Sequence, residues 1–330
     1  MNRLSVLAIG LAMLATVVCP ALQAQSPLAS SGSFPTKPVR ILSVTPAGGI
    51  LDVAARQLAA KLTPALGQPV LVEPRPGAGG IIAMEAGARS VPDGHTLVIC
   101  SFVQLTVNPS LYDRLPYDAV RDFAPVSLLF LGPTVLLAQP AFPANSVAEL
   151  VQLAKAQPGK LMYGSSGSGF PPHIFTEELK YLAGIDLVHV PYKGPAASVA
   201  ALLAGEVSVI MEASDTVIPY LRSGRLKALA VNGKKRVASL PNVPTFDEAG
   251  VTGIGVSWVG IVAPAGTPSE IVYRLNREFA RALEAPDIKA YYDEAGRTVV
   301  ASSPEIFAAV IRDEIPRWRE VVKSVGIKPD

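Results

Sequence analysis

One pattern, used three times, narrows the possible folds most: an apolar run ends in a glycine-rich turn and a helix begins at once. The turns are TPAGGILD (45–52), RPGAGGI (75–81) and YGSSGSGFPPH (163–173). In the third, Gly164, Gly167 and Gly169 alternate with Ser165, Ser166 and Ser168, and Pro171 and Pro172 then open a helix. Backbone N–H groups, hydroxyls and the positive end of a helix converge there, which suits a carboxylate or phosphate. A simple strand-to-helix turn is the alternative reading of any one of these loops. Three of them in one chain point to a shared pocket.

The segments between the loops follow the same alternation. Strand-like residues 39–44 lead into an amphipathic helix over 52–66, a strand at 69–75, a helix over 80–88, the turn Pro92-Asp93-Gly94 and a strand at 95–101. A second block repeats the order, with helices expected over 147–156, 173–182, 196–204 and 215–223 and strands at 161–165, 186–192, 206–212 and 226–232. The class is therefore α/β, with mostly parallel sheets flanked by helices. Two nearly unbroken apolar stretches, 124–140 (interrupted at Gly132 and Pro133) and 256–266, read as strands crossing between lobes. The expected division is 37–132 plus 259–330 in one lobe and 133–258 in the other, joined by two hinge crossings. Ligand then binds between the lobes at the carboxyl ends of parallel strands.

Residues 1–24 read as a secretory signal peptide: Asn2 and Arg3 precede an apolar run over 4–18, and small residues follow at 21–25. Lipidation at Cys19 is the rival, weakened by the bulky Val18 before it. Removal of the signal leaves Cys100 as the one thiol, so no intramolecular disulfide forms, and core packing is its expected role. An exported, soluble, periplasmic protein follows. With 330 residues, a net charge of +2 and 17% charged residues, the chain has ample core but no basic field for nucleic acid.

Seven ordered motifs resemble the periplasmic solute receptors of tripartite tricarboxylate transporters, often called Bug proteins. They are GGILDVAAR (48–56), VEPRPGAGG (72–80), YGSSGSG, VPYKG (190–194), LPNVPTFDEAG (240–250), SWVGIVAP and PAGTP (264–268). The resemblance implies a two-lobed, flytrap-like periplasmic binding protein of type II, acting as a monomer. It would hold a small organic acid or amino acid and deliver it to membrane permease subunits, without cofactor, metal or catalysis. The implied contacts are Thr45, Ala47, Gly48 and Gly49 in the first loop, Gly77, Ala78 and Gly79 in the second, and Ser101 after the third strand. Tyr163, Ser165, Ser166, Gly167, Ser168, Phe170 and His173 follow around the cradle, and then Glu212. Asp52 and Arg56 are expected to cap and pair on their helix instead.

Thr45 stands where the family commonly has an aromatic, and Phe170 where it often has serine. Phe170 would offer a stacking wall, or else staple the following helix. Glu212 stands where an Asp is frequent; it would meet a donor on the ligand, or be a solvated or capping carboxylate. His173 would touch ligand or serve structurally.

An enzyme is the main rival, and the residues for one are missing. Only His95, His173 and His189 are present, with no HExxH, CxxC or GxSxG, and Gly77, Gly79 and Gly80 do not space as GxGxxG. A ligand-presenting sensor is a second alternative that residue patterns do not separate from a transport receptor.

Overall fold

The computed structural model describes residues 34–326, so the signal peptide and Cys19 lie outside the described residues. The chain runs β1 (Val39–Ser43), α1 (Ile50–Leu66), β2 (Val70–Pro74), α2 (Ile81–Ala88), β3 (Thr96–Ser101), a π-helical segment (Val103–Val107), α3 (Asn108–Leu111) and β4 (Phe123–Gly132). It continues with β5 (Thr134–Ala138), α4 (Val147–Ala156), β6 (Met162–Ser165), α5 (Pro171–Ala183), β7 (Val188–Pro191), α6 (Pro195–Ala204), β8 (Val209–Ala213), α7 (Ser214–Arg222) and β9 (Lys227–Val231). The last elements are β10 (Ser257–Pro264), α8 (Ser269–Glu284), α9 (Pro286–Glu294), β11 (Thr298–Val299) and α10 (Pro304–Val325).

Two sheets form, in the orders β11-β4-β10-β3-β1-β2 and β7-β6-β8-β5-β9. The strand–helix–strand units pair in parallel as expected: β1 with β2 and β3, and β6 with β7 and β8. The crossing strands enter antiparallel, β10 against β3 and β4, and β5 against β8 and β9, which makes both sheets mixed. A strand arriving from the other lobe has no crossover helix to reverse it, so this direction is geometrically natural. Gly132 ends β4 in the first sheet and Thr134 starts β5 in the second, so the break at Gly132-Pro133 is one passage between lobes. Ser257 and Trp258, expected in the second lobe, pair with Gly132 and Leu131 in the first sheet. They lie there because β10 reaches the end of β4 before its ladder stops.

Apolar periodicity fixes how the helices cover the sheets. In α1, Leu51, Ala54, Ala55, Leu58, Leu62 and Leu66 are buried on one face. The carboxyl-terminal helix α10 comes so close to β10 that a Cβ at Gly260 would lie 2.2 Å from Phe307. Cys100 is fully buried in β3, as its apolar neighbours predict. The π-helical segment, α9 and β11 carry no clear periodic signal and were not expected; β11 is only an edge pairing of Thr298 and Val299 with β4.

Candidate functional site

The carboxyl ends of β2, β1 and β3 stand side by side, so the loops after them share one edge of the first sheet. In the second sheet the ends of β7, β6 and β8 do the same. The two edges are brought to a common seam by Phe102, directly after β3, and Phe175 in the first half of α5, whose rings stack at 5.2 Å.

Unpaired backbone donors set what each loop can offer a ligand. Among the described residues, the N–H groups of Ala47, Ile50 and Leu51 in the first loop and of Gly77, Ala78 and Gly79 in the second have no acceptor within the chain. In the cradle the same holds for Ser166, Ser168 and His173. The other cradle donors are already spent: Gly167 N–H on Ser165 Oγ at 3.3 Å, Gly169 N–H on His173 Nδ1 at 3.0 Å and Phe170 N–H on Gly167 O at 3.4 Å. The start of α5 is a weaker donor set than expected, because Pro171 and Pro172 have no N–H to give.

Several predicted contacts turn their side chains into the scaffold. Thr45 Oγ1 accepts from Asp52 N–H at 3.2 Å, so the residue in the aromatic's place caps α1. Ser101 gives both its N–H and its hydroxyl to Gln104 Oε1, and Gln104 in turn donates to Gly79 O at 2.9 Å, tying the third strand to the second loop. Ala78 is held at φ 47°, a left-handed conformation costing a side-chain-bearing residue roughly 1–2 kcal/mol. The strain sits between the donors of Gly77 and Gly79, as is common where backbone is aimed at a ligand. Gly80, at φ 89°, has no room for a Cβ, which would lie 2.9 Å from Gln104 and 3.0 Å from Val44; this close approach packs the first two loops together.

Behind the cradle three aromatic rings form a column. Tyr163 stacks on His189 at 4.8 Å, and His189 stacks on His173 at 4.1 Å. Ser165 Oγ lies 2.7 Å from His189 Nε2, and the Tyr163 hydroxyl donates to Glu177, which also holds Lys180 at 2.9 Å. Burial, seconded by Lys180, pulls the His173 imidazole down to about 4, so it is neutral near pH 7 and accepts from Gly169. His173 thus serves the cradle's shape through its side chain while presenting its N–H.

Among the described residues, the arginines of the first two loops are engaged by carboxylates and form no guanidinium clamp. Arg56 is paired with Asp52 at 2.9 Å, and Arg75 lies against Glu73 at 3.4 Å. Burial works to raise the Asp52 carboxyl, but the Arg56 bonds and Gly48 N–H at 2.9 Å outweigh it and hold the group below its ordinary range. This confirms the capping and pairing role. Glu212 is 1% exposed, which removes the reading of a solvated carboxylate. Phe170 is 59% exposed and its ring lies over Gly167, where a Cβ would be 3.0 Å from Cδ2, so it does not staple the helix from beneath.

One element of the site was not anticipated as such. In the loop after β7, Tyr192 N–H bonds Ser165 O at 2.9 Å and Gly194 N–H bonds Ser166 O at 3.2 Å, so VPYKG forms the back of the cradle and sets the exposed Lys193 beside it. Its glycine and flanking prolines were the available signal; the strand register that places it was not.

The receptor model of the tripartite tricarboxylate transporter family matches residues 54–327. Among solved structures, a Rhodopseudomonas palustris protein, Rpa4515 with adipate, is 34% identical with a TM-score of 0.76, over 90% of this chain and all of that one. MatC from the same organism, with bound malate, is 32% identical with a TM-score of 0.74, over 88% of this chain and 100% of its own. The periplasmic binding protein BugD is 32% identical with a TM-score of 0.73, over 89% of this chain and 99% of its own.

Proposed function

The chain belongs to the tripartite tricarboxylate transporter receptor family, and from that premise we propose that it is an exported periplasmic receptor. It captures a small carboxylated organic molecule between its lobes and hands it to the membrane permease of a tripartite transporter, catalysing no reaction. The observation that carries this reading is the donor set: unspent N–H groups on the loops of both lobes, arranged at strand ends without a paired cation. Such dipoles hold a carboxylate through charge-assisted hydrogen bonds without a formal counter-charge. Adipate and malate in two relatives are the ligand chemistry this arrangement would take. The amino-terminal pattern supports export, and the family supports delivery to a permease.

Thermal shift of the purified mature protein against adipate, malate, benzoate and the corresponding neutral amides tests the binding step. Carboxylates are expected to raise the melting temperature, by the equivalent of about 2.7 kcal/mol at a hundredfold excess over Kd, and the amides to leave it in place. Equal response to acids and amides, or none to any acid, overturns the carboxylate reading. Recovery of a signalling protein, and no permease subunit, on the liganded receptor would overturn the delivery step.

A further inference from the structure

We propose that Glu212 is a proton-accepting positioning residue beneath the cradle, so that the site binds a ligand carboxylate together with one proton from solvent. The proposal rests on the carboxylate-receptor reading above and adds to it a second, chemically defined species.

The geometry begins with strand register. In the parallel pairing of β6 with β8, Gly164 lies opposite Ile210, which brings Glu212, near the end of β8, alongside Ser166 of the cradle. Glu212 is buried, and its Oε1 has no hydrogen-bond partner. The hydroxyls of Ser198, on α6, and Ser166 stand beside the carboxyl without closing a bond to that oxygen, and Ser198 Oγ is itself buried without a partner. Ser166 is therefore both a cradle donor and the neighbour of a buried acid.

Among the described residues no cation is paired with that acid, and Lys193, beside the cradle, is exposed. From α7 the group facing it is Asp215, a second carboxylate, whose own partner is Arg297 at 2.5 Å. From β5 the residue opposite Glu212 is Val135. On α5, His173 is neutral at physiological pH, and Lys180 is engaged by Glu177. On β7, His189 is stacked on His173 and bonded to Ser165. An ionised Glu212 would thus be a buried, unpaired charge under the loop that receives an anion. Burial is the main reason its carboxyl is pushed up to about 7, with Asp215 adding to it against the pull of Ser198, Ser166 and Ala213 N–H.

The binding step balances simply. The ligand enters as its anion, Glu212 takes one proton from water, and no covalent bond in the ligand changes. A carboxylate in the cradle raises the proton affinity of Glu212 further, by like-charge repulsion, and a protonated Glu212 raises the affinity for the carboxylate by the same factor. Affinity is then level below the Glu212 pKa of about 7 and falls as pH rises above it, by up to roughly tenfold per pH unit.

Titration calorimetry of wild-type protein with adipate, malate and benzoate between about pH 6 and about pH 9, in buffers of differing ionisation enthalpy, tests this. The expected result is uptake approaching one proton per ligand on the alkaline side, and a Glu212→Gln variant whose affinity is level across the range with no uptake. Proton uptake on wild-type protein alone decides the matter if the variant does not fold. Binding without pH dependence, or identical uptake in folded Glu212→Gln, overturns the proposal while leaving the carboxylate reading standing. Failure of every acid to bind wild-type protein at every pH overturns both.

Discussion

Phe102 and Phe175 stack across the two lobes with 5.2 Å between ring centroids and 21° between planes, and both are fully buried. Phe102 directly follows the strand that ends at Ser101, while Phe175 lies in the helix opened by the cradle, so one apolar contact sets the distance between the two halves of the site. Trp318 from the carboxyl-terminal helix closes the cluster at 5.4 Å from Phe102. Phe175→Ala is expected to cost about 3–5 kcal/mol, from lost apolar burial and the cavity left behind. Denaturant unfolding measures it; a loss below about 1 kcal/mol would mean that the lobes do not depend on this seam.

The second brace across the seam is ionic. Glu178, buried in α5, accepts from Arg317 of α10 and from Gly255 N–H at 2.9 Å, and Arg317 also donates to Gly253 O at 3.1 Å. Burial already pushes the Glu178 carboxyl up to about 7, so on Arg317→Met it takes a proton, and the cost should fall below the roughly 3–5 kcal/mol of a stranded buried charge; adding Glu178→Gln should recover part of that loss. A double-mutant cycle checks the coupling; purely additive losses would show that the two side chains act independently.

His173 yields a prediction with a definite pH direction. Burial lowers its imidazole from 6.5 to about 4, so between those values the unfolded chain binds a proton that the folded chain refuses. Folding stability therefore declines as pH falls from about 6.5 to about 4, and His173→Asn should lack that part of the decline. Nuclear magnetic resonance titration of the imidazole in wild-type protein reads the same quantity directly. A midpoint near 6.5 would mean that the ring is solvated and does not hold Gly169.

Phe170 tests the composition of the wall. At 59% exposed it contributes little to folding, so Phe170→Ser should move stability by less than about 0.5 kcal/mol. If the ring faces the ligand, benzoate should lose about 0.5–1.5 kcal/mol of affinity on this substitution while malate loses almost none. Calorimetry with both acids decides; equal losses, accompanied by a lower melting temperature, would mark Phe170 as a packing residue.

The sequence by itself determined the alternation of strand, glycine turn and helix, the passage between sheets at Gly132-Pro133 and the positions of the three loops. These are local properties: apolar periodicity decides strand or helix, and a helix start exposes its first N–H groups wherever it occurs. The pairing of Asp52 with Arg56 was legible for the same reason, since the two lie one helical turn apart. Only the tertiary structure decided which donors remain unspent. Gly169 gives its N–H to a ring that must be neutral and buried to accept it, and Ser165 turns to a histidine that reaches it from β7. Thr45, read as a lost aromatic, proved to be a helix cap because its hydroxyl meets an N–H seven residues on. Glu212 lies beneath Ser166 through the register of β6 against β8, and its proton affinity follows from burial without a partner. Register, burial and charge balance are sums over residues distant in the chain, and no local pattern of residues encodes them.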